Sequence, residues 1–221
     1  MDKEVKVVGR DETKKTGVYI GFTGIDGAGK STQAALLCGW LTQRRIPNIL
    51  REEKRDFVSE ISSAIARIHG IESGRKYLGE EYYVVALSFD LLREVLFDVQ
   101  PFIAMGMIVV SARTAFCRLA GGVVRGCRSI ELAKEIALFG GIPDLTIWLD
   151  VSPEIAYRRI MQRKFDFANL DHLRRYKESL KELLQSYLHV RIVGEGTIES
   201  VQTKVRQAVK EILKTKVAHI N

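Results

Sequence analysis

Residues 24–31 of this chain read Gly-Ile-Asp-Gly-Ala-Gly-Lys-Ser, which matches the pattern G-x-x-x-x-G-K-[ST] of a phosphate-binding loop. An apolar run at 18–22 precedes the loop and predicts a short buried strand. Apolar residues at helical spacing follow it and predict a helix over 31–44. In this strand–loop–helix context, glycines let backbone N–H groups face phosphate oxygens, and the helix N-terminus adds partial positive charge. The context therefore predicts a nucleoside triphosphate site rather than an ordinary glycine-rich turn.

Individual side chains of the loop have roles in this chemistry. We expect Lys30 to reach the transferred phosphate and the Ser31 hydroxyl to coordinate Mg²⁺. The predicted cofactors are therefore ATP and Mg²⁺, with Ser31 as the metal ligand. The residues predicted to bind the nucleotide are Gly24, Ile25, Asp26, Gly27, Ala28, Gly29, Lys30, Ser31 and Thr32.

Length and composition set limits on the remaining functions. A chain of 221 residues suits one medium α/β domain with a sizeable core. Its most apolar stretch, 101–110, is far shorter than the roughly 20 residues of a membrane helix, and the charged start lacks the apolar core of a signal peptide. The three cysteines have no metal-ligand spacing, and their odd number argues against a disulfide framework. We expect a cytoplasmic protein with reduced thiols and no membrane partner.

The net charge of +7 indicates an anionic partner. Nucleic acid is one such partner, but the basic residues are interleaved with glutamates and form no recognition motif. A site for a triphosphate and an anionic acceptor also requires positive charge. We therefore expect a nucleotide or small-molecule acceptor, and no nucleic acid, as the main partner.

Strands and helices alternate along the chain, which predicts an α/β fold of three layers, α/β/α, around a parallel five-stranded sheet. The predicted strands are 18–22, 49–51, 107–111, 144–151 and 190–193. The predicted helices are 31–44, 57–69, 80–100, one that begins at Ser152 and one from about Thr197, with a turn at 70–79. Residues 1–16 are interpreted as a charged leader and residues 17–221 as a single domain.

Four segments, in order, resemble thymidylate kinases. Residues 19–33 resemble the start of that family, including Asp26 inside the loop and Gln33 after it. Residues 50–52 resemble its Arg-Glu-Pro segment, and residues 106–113 resemble the segment that ends in its Asp-Arg motif. Residues 143–154 match its next strand and helix start. The resemblance covers roughly residues 18–213.

This resemblance implies a P-loop kinase with a helical lid around residues 158–170, which transfers the γ-phosphate of ATP to the 5′-phosphate of a nucleotide. It implies dTMP as the leading acceptor and a possible homodimer. By the same resemblance, Arg51 and Arg113 clamp the acceptor phosphate and Asp26 accepts a hydrogen bond from the acceptor sugar. Two lid arginines four residues apart lie on one helix face, over the ATP phosphates. The implied catalytic residues are Lys30, Asp26, Arg113, Arg159 and Arg163.

Several positions depart from the family pattern, and they concern the acceptor half of the site. Ala112 stands where the family has the Asp of its Asp-Arg motif. Cys117-Arg118 and Gly121-Gly122 replace the expected Ser-Ser and Tyr-Gln. Arg93 is shifted by two positions from the family's thymine-reading arginine, which turns it about 200° around the helix. The donor half matches the family, whereas thymidylate specificity depends on altered positions.

Glu52 leaves a second enzymatic interpretation open. A carboxylate after the second strand suits an uncharged alcohol acceptor, such as a deoxynucleoside or a vitamin-like molecule, because it can take the hydroxyl proton. An ordinary exposed glutamate is the alternative interpretation of this residue. A non-catalytic, ATP-binding paralogue is a third possibility, supported by Ala112 alone.

The long helix predicted at 80–100 supplies the remaining candidates. Tyr82, Phe89 and Phe97 are expected mainly in the core, although Phe89 could also stack on a base. Asp90 and Arg93 are three residues apart and could form a structural ion pair. The predicted substrate-binding residues are Arg51, Glu52, Phe89, Asp90, Arg93 and Arg113. The four histidines, His69, His172, His189 and His219, show no ligand spacing and are expected at the surface or in the core.

Overall fold

A computed structural model describes residues 17–52, 57–163 and 169–217. Its strands are β1 (Val18–Thr23), β2 (Asn48–Arg51), β3 (Ile108–Ser111), β4 (Leu145–Asp150) and β5 (His189–Val193). Its helices are α1 (Lys30–Gln43), α2 (Phe57–Ile68), α3 (Gly74–Leu78), α4 (Glu80–Glu94), α5 (Gln100–Ala104), α6 (Ala115–Val124), α7 (Ile130–Phe139), α8 (Pro153–Gln162), α9 (Leu170–Leu184) and α10 (Ile198–Val217), with a π-helical turn at Val95–Val99 between α4 and α5.

The five strands form one parallel sheet in the order β2-β3-β1-β4-β5. Alternate residues of the central strand enter different clusters: Ile20 and Phe22 join the larger core, whereas Tyr19 joins a smaller one with Ile103 and Val109. Helices therefore cover both faces of the sheet. This confirms the predicted α/β fold and its five strands, whose ends differ from the prediction by one residue or none.

The parallel arrangement brings the carboxyl ends of the strands to one edge, where open α/β sheets bind ligands. Thr23, Arg51, Ser111 and Asp150 are the last residues of β1 to β4. The glycine-rich loop leaves this edge directly after β1. The order of the strands thus determines which of these side chains lie close enough together to contact one ligand.

The sequence did not predict α6, α7 and α9, and three further expectations need correction. The helix expected over 80–100 ends at Glu94, and a π-helical turn separates it from α5. The turn expected at 70–79 contains the short helix α3. Tyr82, Phe89 and Phe97 are 65%, 56% and 67% exposed, so the expectation that they belong to the core is wrong. Their face of α4 and the π-helical turn points to solvent because other residues of α4, such as Leu87 and Leu91, supply its buried side.

Three predictions lie wholly or partly outside the described residues. They concern the charged leader, 1–16, the central part of the predicted lid, 164–168, and the position of His219. Among the described helices, none is both long enough and apolar enough to cross a membrane.

Candidate active site

The glycine-rich loop connects β1 to α1 in a conformation that only glycines readily adopt. Gly27 and Gly29 have φ angles of 80° and 95°, in the left-handed region. A Cβ atom on Gly27 would lie 2.5 Å from the carbonyl oxygen of Ala156, so the loop packs closely against α8. The Lys30 ammonium donates hydrogen bonds to the carbonyls of Gly24 at 2.8 Å and Ile25 at 3.0 Å. The Lys30 side chain therefore folds back and lies against the carbonyl groups at the start of the loop.

A cavity of about 360 Å³ opens above this loop. We call it the phosphate cavity, and its lining comes from the loop and the start of α1, the segment between β3 and α6, the end of α8 and the start of α9. It brings together eight of the predicted site residues: Asp26, Gly27, Gly29, Lys30, Ser31, Thr32, Arg113 and Arg163. The full lining is Asp26, Gly27, Gly29, Lys30, Ser31, Thr32, Arg113, Ile160, Arg163, Asn169, His172 and Leu173.

A second cavity, of about 320 Å³, adjoins the first across Gly27, Gly29 and Thr32. Arg159 lies here rather than in the phosphate cavity. Its guanidinium donates to the carbonyl of Gly27 at 3.4 Å and to that of Gly194 at 2.9 Å. Arg159 thereby joins the glycine-rich loop to the loop after β5, a contact that the sequence did not indicate.

Asp26 and Arg113 meet at the border of the phosphate cavity. Arg113 Nη2 lies 3.0 Å from Asp26 Oδ1, and Lys30 Nζ lies 3.8 Å from the same oxygen. Both residues were expected to contact the acceptor, and the structure pairs them with each other. An anion that binds at Arg113 would therefore share this guanidinium with the Asp26 carboxylate.

On the acceptor side, beyond Arg113, the described residues line two small cavities. One of about 30 Å³ and one of about 20 Å³ share Leu91, Glu94, Ser111, Arg113 and Thr114. Each is less than a tenth of the volume of the phosphate cavity. Glu52 and Arg118 complete the smaller cavity, which we call the acceptor pocket. Glu52 and Arg113 thus line the same pocket.

Arg51 is engaged by carboxylates. Its Nη2 lies 2.9 Å from Glu94 Oε1 and 3.3 Å from Asp98 Oδ2, and its side chain is only 14% exposed. The π-helical turn carries Asp98, which places a second carboxylate on the same guanidinium. Among the residues that line the four cavities above, Arg51 does not occur. Among the described residues, Arg51 therefore has two carboxylate partners, Glu94 and Asp98.

The three remaining substrate candidates on α4 lie outside these cavity linings. Phe89 is exposed to solvent. Asp90 accepts a hydrogen bond from the backbone N–H of Val58 at 2.8 Å, at the start of α2. Arg93 lies 3.6 Å from Asp98. The predicted Asp90–Arg93 ion pair is wrong, because each residue has a different partner.

His172 is a site residue that sequence reasoning missed, because no helix was predicted where α9 begins. It lines the phosphate cavity from the first turn of α9. Burial lowers its pKa, and the positive charges of Arg125 and Arg175 lower it further, against the opposing charge of Asp26. The imidazole is therefore biased towards its neutral form.

Cys117 lies directly beneath the glycine-rich loop. Its Sγ is 3.2 Å from the Thr23 hydroxyl. Burial is the largest single influence and acts to raise the pKa of this thiol, but the charges of Lys30 and Arg113, together with hydrogen bonds to Thr23 and Thr114, lower the pKa overall. The positive field of the cavity therefore extends into the core below the loop.

The fold and this site define a P-loop kinase. The thymidylate kinase family model matches residues 22–205. The chain is similar to the probable thymidylate kinase of Pyrococcus horikoshii, with 30% identity over 203 residues, which cover 89% of this chain and 98% of the relative. It is also similar to the probable thymidylate kinase of Thermococcus gammatolerans, with 28% identity over 199 residues, which cover 86% of this chain and 94% of the relative. The thymidylate kinase of Trichodesmium erythraeum is 30% identical in an alignment of 224 positions, which covers 89% of this chain and 96% of the relative.

The chain belongs to the thymidylate kinase family. It is an ATP-dependent kinase of the nucleoside monophosphate kinase class. This membership argues against the non-catalytic interpretation, for which Ala112 was the only support.

Proposed function

We propose that this kinase transfers the γ-phosphate of ATP to the 5′-phosphate of dTMP, which yields dTDP and ADP. The observation that carries the proposal is the phosphate cavity, where Lys30, Arg113 and Arg163 converge from three separate segments. Phosphoryl transfer needs positioned cations around the phosphates more than it needs covalent chemistry from the protein. The named thymidylate kinase relatives support dTMP as the acceptor.

On the donor side, the residues present fit ATP with Mg²⁺. Ser31 lines the phosphate cavity, and Mg²⁺ typically uses one or two protein oxygens together with phosphate oxygens and water. Bound there, the ion would neutralise charge on the phosphates. The adjoining 320 Å³ cavity between Gly27 and Ile198 suits the nucleoside part of ATP. Arg159, which connects the two loops, would stiffen its wall.

In the transfer itself, an oxygen of the acceptor phosphate forms a bond to the γ-phosphorus while the bond to the β,γ-bridging oxygen breaks. The acceptor phosphate is already an anion, so no base is required. Arg113 would hold that phosphate, because it lines both the phosphate cavity and the acceptor pocket. Arg163 lies at the opposite side of the phosphate cavity, at the end of α8, and would neutralise the transferred group.

An alcohol acceptor is the second candidate function. Glu52 lines the acceptor pocket beside Arg113, whereas Arg51 is already engaged by Glu94 and Asp98. A carboxylate at that place could take the proton of a sugar hydroxyl. This arrangement would favour a nucleoside over its monophosphate.

An acceptor panel separates these candidates. Purified protein with Mg·ATP is incubated with dTMP, other nucleoside monophosphates and thymidine, and the products are identified by mass. We expect dTDP from dTMP, a loss of this product in Arg113→Ala and near wild-type turnover in Glu52→Gln. Product from thymidine alone, lost in Glu52→Gln, would contradict the proposal and support the alcohol acceptor.

The exposed apolar face of α4 supports a homodimer as the working form. Tyr82, Phe89 and Leu96 recur every seven residues and, with Phe97, form an apolar stripe. A contiguous exposed stripe of this kind typically marks an interface. We expect a dimer by light scattering, a monomer for Phe89→Arg and a dimer for the control Phe139→Arg, whose side chain is exposed on α7. A monomeric wild type would contradict this proposal.

A further inference from the structure

His172 lines the phosphate cavity, and the proposed function assigns no role to it. It lies in the first turn of α9, and it shares the cavity lining with Arg113 and Arg163. The Asn169 side chain caps this helix by accepting a hydrogen bond from the backbone N–H of His172 at 3.0 Å. The ring packs against Tyr176, with the two ring centroids 6.1 Å apart. Cap and ring contact therefore hold the imidazole at the cavity wall without using either of its nitrogens.

The place of His172 in the cavity points to the terminal phosphate of ATP. The phosphate cavity and the 320 Å³ cavity meet across Gly27, Gly29 and Thr32, and His172 belongs to the lining of the first and not of the second. The second cavity suits the nucleoside, so a triphosphate that crosses the loop from there directs its terminal phosphate into the first. Lys30 lies on the loop side of that space, and His172 lies on the α9 side.

The charges around this imidazole are mostly positive. Burial lowers the pKa of His172, and three arginines lower it further: Arg125 after α6, Arg175 on α9 and Arg75 on α3. The cavity lining adds three more cations, Lys30, Arg113 and Arg163. The Asp26 carboxylate opposes them, but it lies 3.0 Å from Arg113 and is shared with that guanidinium. Other carboxylates on these segments are also paired, Glu80 with Arg125 at 2.7 Å and Asp171 with Arg174 at 3.1 Å. These surroundings favour the neutral imidazole.

A bound triphosphate reverses this balance, because it brings several negative charges into the cavity. We propose that His172 is a catalytic residue, which takes up a proton from the solvent when ATP binds and donates a hydrogen bond to the phosphoryl group that is transferred. The protonated ring has two N–H donors, and its bond to a phosphate oxygen is charge-assisted. In the transfer it would stabilise charge on the equatorial oxygens from the side opposite the loop. The inference rests on the donor half of the proposed function and does not depend on which acceptor is used.

This proton uptake makes the affinity for ATP depend on pH in a defined direction. Above the pKa that His172 has in the complex, the ring is neutral in both states and contributes little to binding. As pH falls through that value, the ring becomes charged in the complex first, so the affinity for ATP rises. The rise ends below the pKa of the free protein, which burial and the neighbouring arginines keep under the ordinary value of about 6.5. ADP lacks the terminal phosphate and should show little of this effect.

The test measures the dissociation constants of Mg·ATP and Mg·ADP by calorimetry at pH 6 and pH 8, in the wild type and in His172→Gln. The matched control is His69→Gln, because His69 also packs on a tyrosine, Tyr77, with the ring centroids 5.7 Å apart, and lies outside the four cavity linings. Comparison with the variant removes the titration of the nucleotide itself, which is common to both proteins. We expect His172→Gln to weaken ATP binding about 10-fold at pH 6 and about 2-fold or less at pH 8. ADP binding in this variant, and both nucleotides in the control, should stay close to the wild type.

A second measurement needs the variant only for assignment. The Cε1–H resonance of His172 in ¹H–¹³C spectra is identified by its loss in His172→Gln, or in His172→Asn if the first variant has a lowered melting temperature. Its titration midpoint in the wild type should rise when Mg·ATP is added and change much less with Mg·ADP.

Three results would overturn the proposal: equal weakening of ATP and ADP binding, a loss of ATP affinity that is the same at both pH values, or a titration midpoint that ATP leaves unchanged. The proposed function fails in a different way. A protein that shows the expected effects on ATP binding and yet phosphorylates no dTMP would refute the acceptor assignment and leave the role of His172 intact.

Discussion

The donor half and the acceptor half of this site differ in how they are built. The donor half is a backbone loop with two adjoining cavities of about 360 and 320 Å³. The acceptor half consists of side chains around cavities of about 30 and 20 Å³, and its expected clamp, Arg51, is held by Glu94 and Asp98. Backbone geometry depends on a few glycines, whereas side-chain recognition can change one residue at a time. The family scaffold can therefore keep its phosphate chemistry while its acceptor site varies.

The largest effect is expected from the donor half, in Lys30→Ala. This lysine is the cation closest to the loop carbonyls that surround the phosphate site. Its removal should lower kcat by about 10³-fold, because it takes away charge stabilisation of the transferred phosphate. Product formation is measured with dTMP, and Lys214→Ala on the exposed face of α10 is the control. Wild-type turnover in Lys30→Ala would contradict the donor assignment.

Arg113 connects the two halves, and its loss should have the next largest effect. Arg113→Ala should lower kcat/KM for the acceptor by about 10²-fold, while the affinity for ATP changes much less. Binding of ATP is measured by calorimetry, separately from turnover. Asp26→Asn serves as the comparison variant. It neutralises the carboxylate that lies 3.0 Å from the Arg113 guanidinium, and it leaves Arg113 in place. A loss of ATP affinity equal to the loss in kcat/KM would place Arg113 in the donor half instead.

Arg51 should affect stability more than acceptor binding. Arg51→Ala leaves the carboxylates of Glu94 and Asp98 without their shared partner. We expect the free energy of unfolding to fall by about 1–3 kcal/mol in urea titrations. Arg93→Ala is the control, since this exposed arginine contacts only Asp98 of that pair, at 3.6 Å. A large rise in the acceptor KM of Arg51→Ala without a loss of stability would contradict this prediction. It would show that Arg51 binds the acceptor phosphate.

The smallest effect concerns the start of α4, outside the cavity linings described above. Glu81, in the first turn of α4, accepts hydrogen bonds from the backbone N–H groups of Arg128 and Ser129, which lower its pKa from 4.5 to about 2. A lowered folded-state pKa stabilises the fold above the unfolded value of about 4.3, and this stabilisation disappears as pH falls towards 2. The difference in stability between wild type and Glu81→Gln should therefore shrink between pH 5 and pH 2. A constant difference in stability over that pH range would show that the charge of Glu81 does not contribute to the stability of the fold.

The sequence predicted the donor half well because its information is local. Loop, flanking strand and following helix lie within 26 consecutive residues, 18–43, and each has its own pattern. The acceptor half depends on contacts between distant segments, such as those of Arg51 with residues 43 and 47 positions further along the chain. The π-helical turn that brings Asp98 to Arg51 has no signature in the apolar pattern. His172 was missed for the same reason, since its place in the phosphate cavity depends on how α9 packs.

The most direct test of this division is the binding of a single molecule that spans both halves. We choose adenosine and thymidine joined 5′ to 5′ through five phosphates, and compare its dissociation constant with that of ATP by calorimetry in the presence of Mg²⁺. If a nucleoside monophosphate binds beyond Arg113, the joined molecule should bind at least about 100-fold more tightly than ATP, because both ends are held at once. Equal affinities would mean that the acceptor half does not bind a nucleotide, and would contradict the central claim.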